Sequence, residues 1–159
     1  MAGVTDAPFR DIAIQCGADY GISEMVTSQI SLWQSKKTQP RLKSHFIEQP
    51  KIIQIAGASA DVIRDAASAS QALHADAIEI NMGCPAKKVC NVLAGSALLQ
   101  NEKLVAEILT AAVNSVGIPV YLKTRLGWDH QTKNILRIAQ LAEDCGIQAL
   151  AIHGRTRSD

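Results

Sequence analysis

The sequence predicts an α/β fold, an incomplete (β/α)8 TIM barrel holding roughly the first five to six βα units. Three observations predict it. Short runs rich in Ile and Val alternate with longer stretches of helical spacing, the mark of βαβ units on a parallel sheet. Strands start near residues 20, 52, 77, 120 and 149, about 32, 25, 43 and 29 residues apart, against about 31 per unit when eight units share about 250 residues. Polar residues recur at the strand ends, where barrel chemistry sits, and no G-x-G-x-x-G opens a helix as a doubly wound dinucleotide fold would require.

The elements follow in order. Asp6 to Cys16 reads as a helix closed by Gly17, and Tyr20 to Met25 as a strand. Ile52-Ile53-Gln54-Ile55 is the brief apolar run of a buried parallel strand. A Gly57-Ala58-Ser59 loop leads to a helix from about Asp61 to Leu73, with Ser59 as its N-cap. Ala77-Ile78-Glu79-Ile80 is the next strand, followed by a long polar loop, a helix near Ala94 to Leu99 and another across Glu102 to Val116 that Gly117-Ile118-Pro119 stops. Val120 to Lys123 forms a strand and Asn134 to Cys145 a helix, with Gly146 in the C-cap role. Ala149 to His153 is the last strand.

Of the 159 residues, 47% are hydrophobic, 19% charged and 4% aromatic. That balance suits one globular domain or a piece of a larger one, and excludes a disordered or collagen-like chain. Apolar stretches are short and broken by charge, so no bilayer span and no membrane partner are expected. Sixteen Lys and Arg against 15 Asp and Glu leave a net charge of +1, so any site for a polyanion must be local. Cys16, Cys84, Cys90 and Cys145 lie far apart, as in a reduced, cytoplasmic protein, and no export signal opens the chain.

Glu24 follows the first of these strands, Gln54 lies in the next, and Asn81 through Cys84 follow the third. Lys123 and Arg125 end the fourth; His153 and Arg155 end the fifth. Singly, a strand-end Gln or Asn is a loop hydrogen-bonder and an isolated His is structural. Together they form a polar ring around one barrel mouth, where catalytic sites occur. Asn81-Met82-Gly83-Cys84-Pro85 is the most specific stretch. Gly83 lets backbone approach a flat ligand, and Pro85 fixes the turn that presents the thiol. A free Cys titrates near about 8.5, so at neutral pH it can give up a proton as a general acid. The other readings of Cys84 are an inert buried thiol, the reading given to Cys16 and Cys145, or a metal ligand. Cys84 and Cys90 lack a neighbouring Cys or His pair, which argues against zinc.

Beyond the spacing, the chain resembles the tRNA-dihydrouridine synthases. The strings that carry the resemblance are Met1-Ala-Gly-Val-Thr-Asp-Ala-Pro-Phe-Arg10, Ser23-Glu-Met-Val, Gln54-Ile-Ala-Gly57, Ile80-Asn-Met-Gly-Cys-Pro-Ala-Lys-Lys-Val89, Ala94-Gly-Ser-Ala-Leu-Leu99, Lys123-Thr-Arg125 and His153-Gly-Arg-Thr-Arg157. They run from the first residue nearly to the last, and within the family they are most similar to the bacterial B branch.

The resemblance implies an FMN-dependent enzyme that reduces uridine to 5,6-dihydrouridine in tRNA, with NADPH as the reductant. Hydride from flavin N5 goes to uracil C6, and Cys84, matching the family's catalytic Cys, protonates C5. Lys123 matches a flavin-contacting Lys whose cation steadies the reduced ring. Gln54, His153 and the backbone of Met1 and Ala2 match other FMN-side positions. Asn81 and Arg125 match positions near the uracil, a base that leaves its stack to be read by its edge. Lys87, Lys88, Arg155 and Arg157 are placed to meet tRNA phosphates, with solvated surface charge as the competing account. Lys36, Lys37, Arg41 and Lys43 read as surface.

Family members continue further, so residues 1–159 are expected to be the N-terminal part of a catalytic barrel. The late strands, an FMN phosphate site and a helical tRNA-binding domain then lie outside it, and Met1 is an internal methionine or the start of a truncated reading frame. Such a piece is expected to be inactive alone. The alternatives are a non-catalytic remnant or interaction module, and a flavin barrel acting on free pyrimidines in the manner of dihydroorotate dehydrogenases.

Overall fold

The computed structural model of the chain describes residues 3–42 and 50–159. Helix α1 (Ala7–Gln15) opens at Asp6, whose carboxylate accepts the Phe9 N–H at 3.0 Å. It closes on Gly17 at φ +104°: Gly17 N–H bonds Ile14 O and Ala18 N–H bonds Ala13 O, the paired C-terminal bonds that a left-handed residue permits.

The expected strand Tyr20–Met25 is displaced. Only Ile22 bridges Ile52 there, and regular pairing begins at β1 (Val26–Thr27). Ser23 is the reason. Its N–H bonds the Ile52 carbonyl, but its hydroxyl accepts the Gln54 N–H at 2.9 Å, taking the place a main-chain carbonyl fills in a ladder. Glu24 therefore precedes β1 rather than following a strand. After a 3-10 turn (Ile30–Leu32) and a short helix α2 (Gln39–Leu42) come β2 (Ile52–Ala56), α3 (Ala60–Ala72), β3 (Ala77–Met82) and α4 (Lys87–Cys90). A 3-10 segment (Gly95–Gln100), α5 (Glu102–Ser115), β4 (Val120–Arg125), α6 (Ile135–Asp144) and β5 (Ala149–His153) complete the order.

The strands form one all-parallel sheet in the order β1-β2-β3-β4-β5. Each strand lies beside its predecessor, with no reversal point such as a doubly wound sheet has, so the sheet is that of a partial barrel. Strand residues alternate in face. Ile53, Ile55, Ile78, Ile80 and Leu122 are fully buried and join the core with Ile63 and Ala67 of α3, Ile108 and Leu109 of α5 and Ile138 of α6. Their alternates, Gln54, Glu79, Asn81, Tyr121, Lys123, Arg125 and His153, share the opposite face.

Helix ends follow the expected chemistry with two corrections. Ser59 sits at the N-cap of α3 with extended backbone, yet its side chain makes no capping bond; its carbonyl accepts from Ile63 N–H. Ala94 to Leu99 is 3-10 rather than α-helix, because Leu93 just before it and Gly95 at its start both take left-handed conformations (φ +55° and +62°) and Ser96 is drawn onto the Cys84 carbonyl. α6 ends as expected: Gly146 at φ +87° bonds Glu143 O, and Ile147 N–H bonds Ala142 O. Among the described residues no helix is long and apolar enough to cross a membrane.

Candidate active site

The site is built on the sheet face turned away from α3, α5 and α6. Pairing sets Gln54 beside Glu79, Asn81 beside Lys123, and Arg125 beside His153. Gln54, Glu79, Lys123 and Ala151 line an open cleft of about 350 Å³ together with Phe9 and Arg10 of α1. Met1 and Ala2, expected to lie along a cofactor, fall outside the described residues, as does Lys43.

Side chains on this sheet face are bonded in series. Gln54 Nε2–H donates to Glu79 Oε2 at 2.8 Å, and Gln54 Oε1 accepts from Asn81 Nδ2 at 2.9 Å. Asn81 Oδ1 then accepts the N–H groups of Gly83 and Cys84 at 3.1 and 2.9 Å. Glu79 is 2% exposed, and burial pushes its carboxyl above the ordinary range, against the opposing pull of the Gln54 bond and the Lys123 charge.

The half-buried Cys84 stands in a loop gripped from three sides. Asn81 holds its N–H. Its carbonyl accepts from Ser96 N at 3.1 Å, Ser96 Oγ at 2.9 Å and Cys90 Sγ at 3.6 Å. Arg125 Nε donates to the Gly83 carbonyl at 2.6 Å, and its Nη1 reaches the Thr156 carbonyl at 2.8 Å. Gly95 completes the grip, since a Cβ there would stand 2.7 Å from Cys84 O. Gly83 needs no such freedom: a Cβ there would touch the Thr124 backbone only at 3.5 Å, an ordinary contact.

At the mouth, Arg125's charge above all, with some desolvation and the charges of Lys123 and Arg155, holds the exposed His153 imidazole below its usual value and favours its neutral form. Lys87 and Lys88 stand exposed on α4 directly after the Cys84 loop, and Arg155 is exposed after β5. Arg157 is half-buried with its guanidinium 4.6 Å over the Trp128 ring. The loops after β4 and β5 are further joined by His130 Nε2 on Asp159 at 2.8 Å. The Thr156 backbone N–H and hydroxyl hold the Asp159 carboxyl down at about 2.

One charge reading changes. Arg41 is not free surface: its Nη1 donates to the Met25 carbonyl at 3.1 Å and its Nε lies 3.9 Å from Glu24, which also accepts the Gly3 N–H. Lys36 and Lys37 are exposed as expected. All four cysteines are free thiols, but Cys16 is exposed and Cys145 half-buried rather than enclosed, and Cys90 is the buried one. Among the described residues no three His, Cys, Asp or Glu side chains converge to hold a metal ion. Glu79, Ser96 and Trp128 are the residues sequence reasoning passed over. An acid set between isoleucines and sharing Asn81's face was the available signal for Glu79.

Residues 1–159 match the family model described as dihydrouridine synthase (Dus). The chain belongs to that family. Over 159 residues, all of this chain and 47% of the relative, it is 55% identical to tRNA-dihydrouridine synthase B of Pseudomonas syringae pv. tomato. It is 54% identical to the protein of that name from Pseudomonas aeruginosa, over all of this chain and 48% of the relative. To that from Vibrio cholerae it is 52% identical, over 99% of this chain and 49% of the relative. The chain thus spans about half the length of the curated relatives it matches. As a dihydrouridine synthase family member with a five-stranded parallel sheet, it carries the early part of the barrel that the strand spacing predicts.

Proposed function

We propose that the chain is the catalytic-barrel half of a cytoplasmic tRNA-dihydrouridine synthase, which reduces uridine in tRNA with FMN as cofactor and NADPH as the electron source. The observation that carries this is the series Glu79, Gln54, Asn81 ending on the Cys84 loop, on one sheet face with Lys123, which lines a cleft with Gln54 and Glu79 and lies in register with Asn81.

The donor set fits a flavin ring. A tricyclic ring has an edge of alternating acceptors and one N–H donor; Gln54 offers both an amide donor and an acceptor, and Lys123 a cation, in a cleft of about 350 Å³. Gln54, Lys123 and His153, with the backbone of Met1 and Ala2, would hold it. Bound and reduced, it supplies hydride to uracil C6. The chain's own residues do the rest. Cys84 Sγ–H gives its proton to C5, so uridine gains hydride and proton across one double bond while NADPH and one proton are consumed. Asn81 and Arg125 orient the uracil edge. Lys87, Lys88, Arg155 and Arg157 meet tRNA phosphates at the mouth, where every contact makes binding salt-dependent. The FMN phosphate site and the main tRNA grip belong to the half of the relatives this chain does not span.

The test is dihydrouridine content, by mass spectrometry, of tRNA treated with full-length protein and NADPH. Cys84→Ala is expected to lower product formation by about 100-fold or more while flavin absorbance stays, the scale of a lost general acid. Unchanged turnover removes Cys84 from that role. Reduction of free uracil or orotate instead of tRNA overturns the substrate assignment.

A further inference from the structure

We infer that Glu79 is a positioning residue that sets the direction of the amide chain holding the Cys84 loop. The consequence for catalysis rests on Cys84 being the proton donor proposed above; the geometric claim does not.

Asparagine and glutamine amides present a donor and an acceptor on nearly identical shapes, so their orientation must be imposed by neighbours. Here the requirement begins at the loop. The N–H groups of Gly83 and Cys84 both need an acceptor, and Asn81 Oδ1 meets both. Asn81 Nδ2 is therefore turned toward Gln54, which must accept with Oε1 at 2.9 Å. Gln54 Nε2 then points the other way and must find an acceptor, and Glu79 Oε2 lies there at 2.8 Å. Glu79 is the one member of the series that carries no nitrogen. A carboxylate in that place accepts only, so it permits one orientation of Gln54 and, through it, one of Asn81.

The location supports the assignment. Glu79 lies between Ile78 and Ile80, where burial alone favours an apolar side chain, and it is itself buried. It sits on β3, the strand that ends in the Cys84 loop, in register with Gln54 on β2. The series thus spans two strands and one loop, and it can be broken at Glu79 without substituting any residue of the loop.

The experiment uses full-length protein and follows the rate of Cys84 alkylation by iodoacetamide, read by mass spectrometry of its peptide, with the exposed Cys16 as internal reference. Glu79→Gln admits either amide orientation, and Gln54→Met severs the series at nearly constant volume. Each is expected to raise Cys84 reactivity about fivefold, the scale of one lost hydrogen bond, with Cys16 unchanged. The double variant is expected to do no more than either single one, since both break the same chain. Cys84 reactivity within twofold of the unaltered protein in Glu79→Gln, or a double variant whose effect is the product of the two, overturns the inference. Should Glu79→Gln not fold, Gln54→Met must still raise Cys84 reactivity and Glu79→Asp, which keeps the acceptor, must not; either result reversed overturns it. If the unaltered protein makes no dihydrouridine, the functional proposal fails while the alkylation comparison still decides the role of Glu79.

Discussion

At the scale of single residues, Glu79 couples stability to pH. Burial raises its carboxyl above the ordinary value of 4.5, so between that value and the raised one the folded chain binds a proton that the unfolded chain has released. Stability therefore falls as pH rises through this window. Glu79→Gln, which cannot titrate, is expected to flatten the plot of urea midpoint against pH above 4.5; an unchanged slope there would assign it to another group. The residues of the site were unequally legible. Cys84 and Lys123 stand out because a polar side chain at the end of an Ile- or Val-rich run has few structural uses, and Gln54 because the string that holds it carries the family resemblance. Glu79 was hidden inside such a run, and Arg41 sat in a basic stretch whose partner, Glu24, lies 17 positions earlier in the sequence and meets it only through the fold.

Elements show the same contrast. Strands β2 to β5 were visible because parallel strands covered by helices need a continuous apolar face, and Gly146 announced the end of α6. Ser23 and Ser96 were not, because what breaks β1 and what forces a 3-10 turn are hydroxyl bonds to Gln54 N and Cys84 O, each made across a long loop. Two left-handed positions give opposite predictions. His74 ends α3 at φ +58°, with its N–H on Gln71 O and Ala75 N–H on Ser70 O, a place that glycine fills at lower cost. His74→Gly is expected to stabilise the protein by about 0.5–1 kcal/mol, net of the extra freedom of the unfolded chain. At about 2–4 °C per kcal/mol, that is a rise in Tm of about 1–4 °C in a thermal melt. Gly95 at φ +62° is already glycine, and Gly95→Ala adds a Cβ 2.7 Å from Cys84 O. Its expected cost is about 2 kcal/mol or more, combining left-handed strain with the displaced Cys84 carbonyl. A Tm unchanged by Gly95→Ala would show that the loop yields freely.

For the whole molecule, the outer edge decides how residues 1–159 behave by themselves. Among the described residues β5 is paired on one side only, by β4, and its residues are largely exposed, Ile152 at 47%. An unpaired parallel edge with apolar side chains is a template for association. Residues 1–159 expressed alone are expected to form concentration-dependent oligomers in size-exclusion chromatography with light scattering, and to carry well under one FMN per chain. A monodisperse yellow monomer would contradict both. The same strand order also bears on biosynthesis. Because each strand after β1 lies against the one made before it, a ribosome delivering about 5–20 residues per second releases each of them onto a partner already in place. The sheet can thus be laid down in the direction of translation, one row at a time. Pulse proteolysis of chains stalled far enough past β3 and β4 for those strands to have left the ribosome should find the emerged rows already protected.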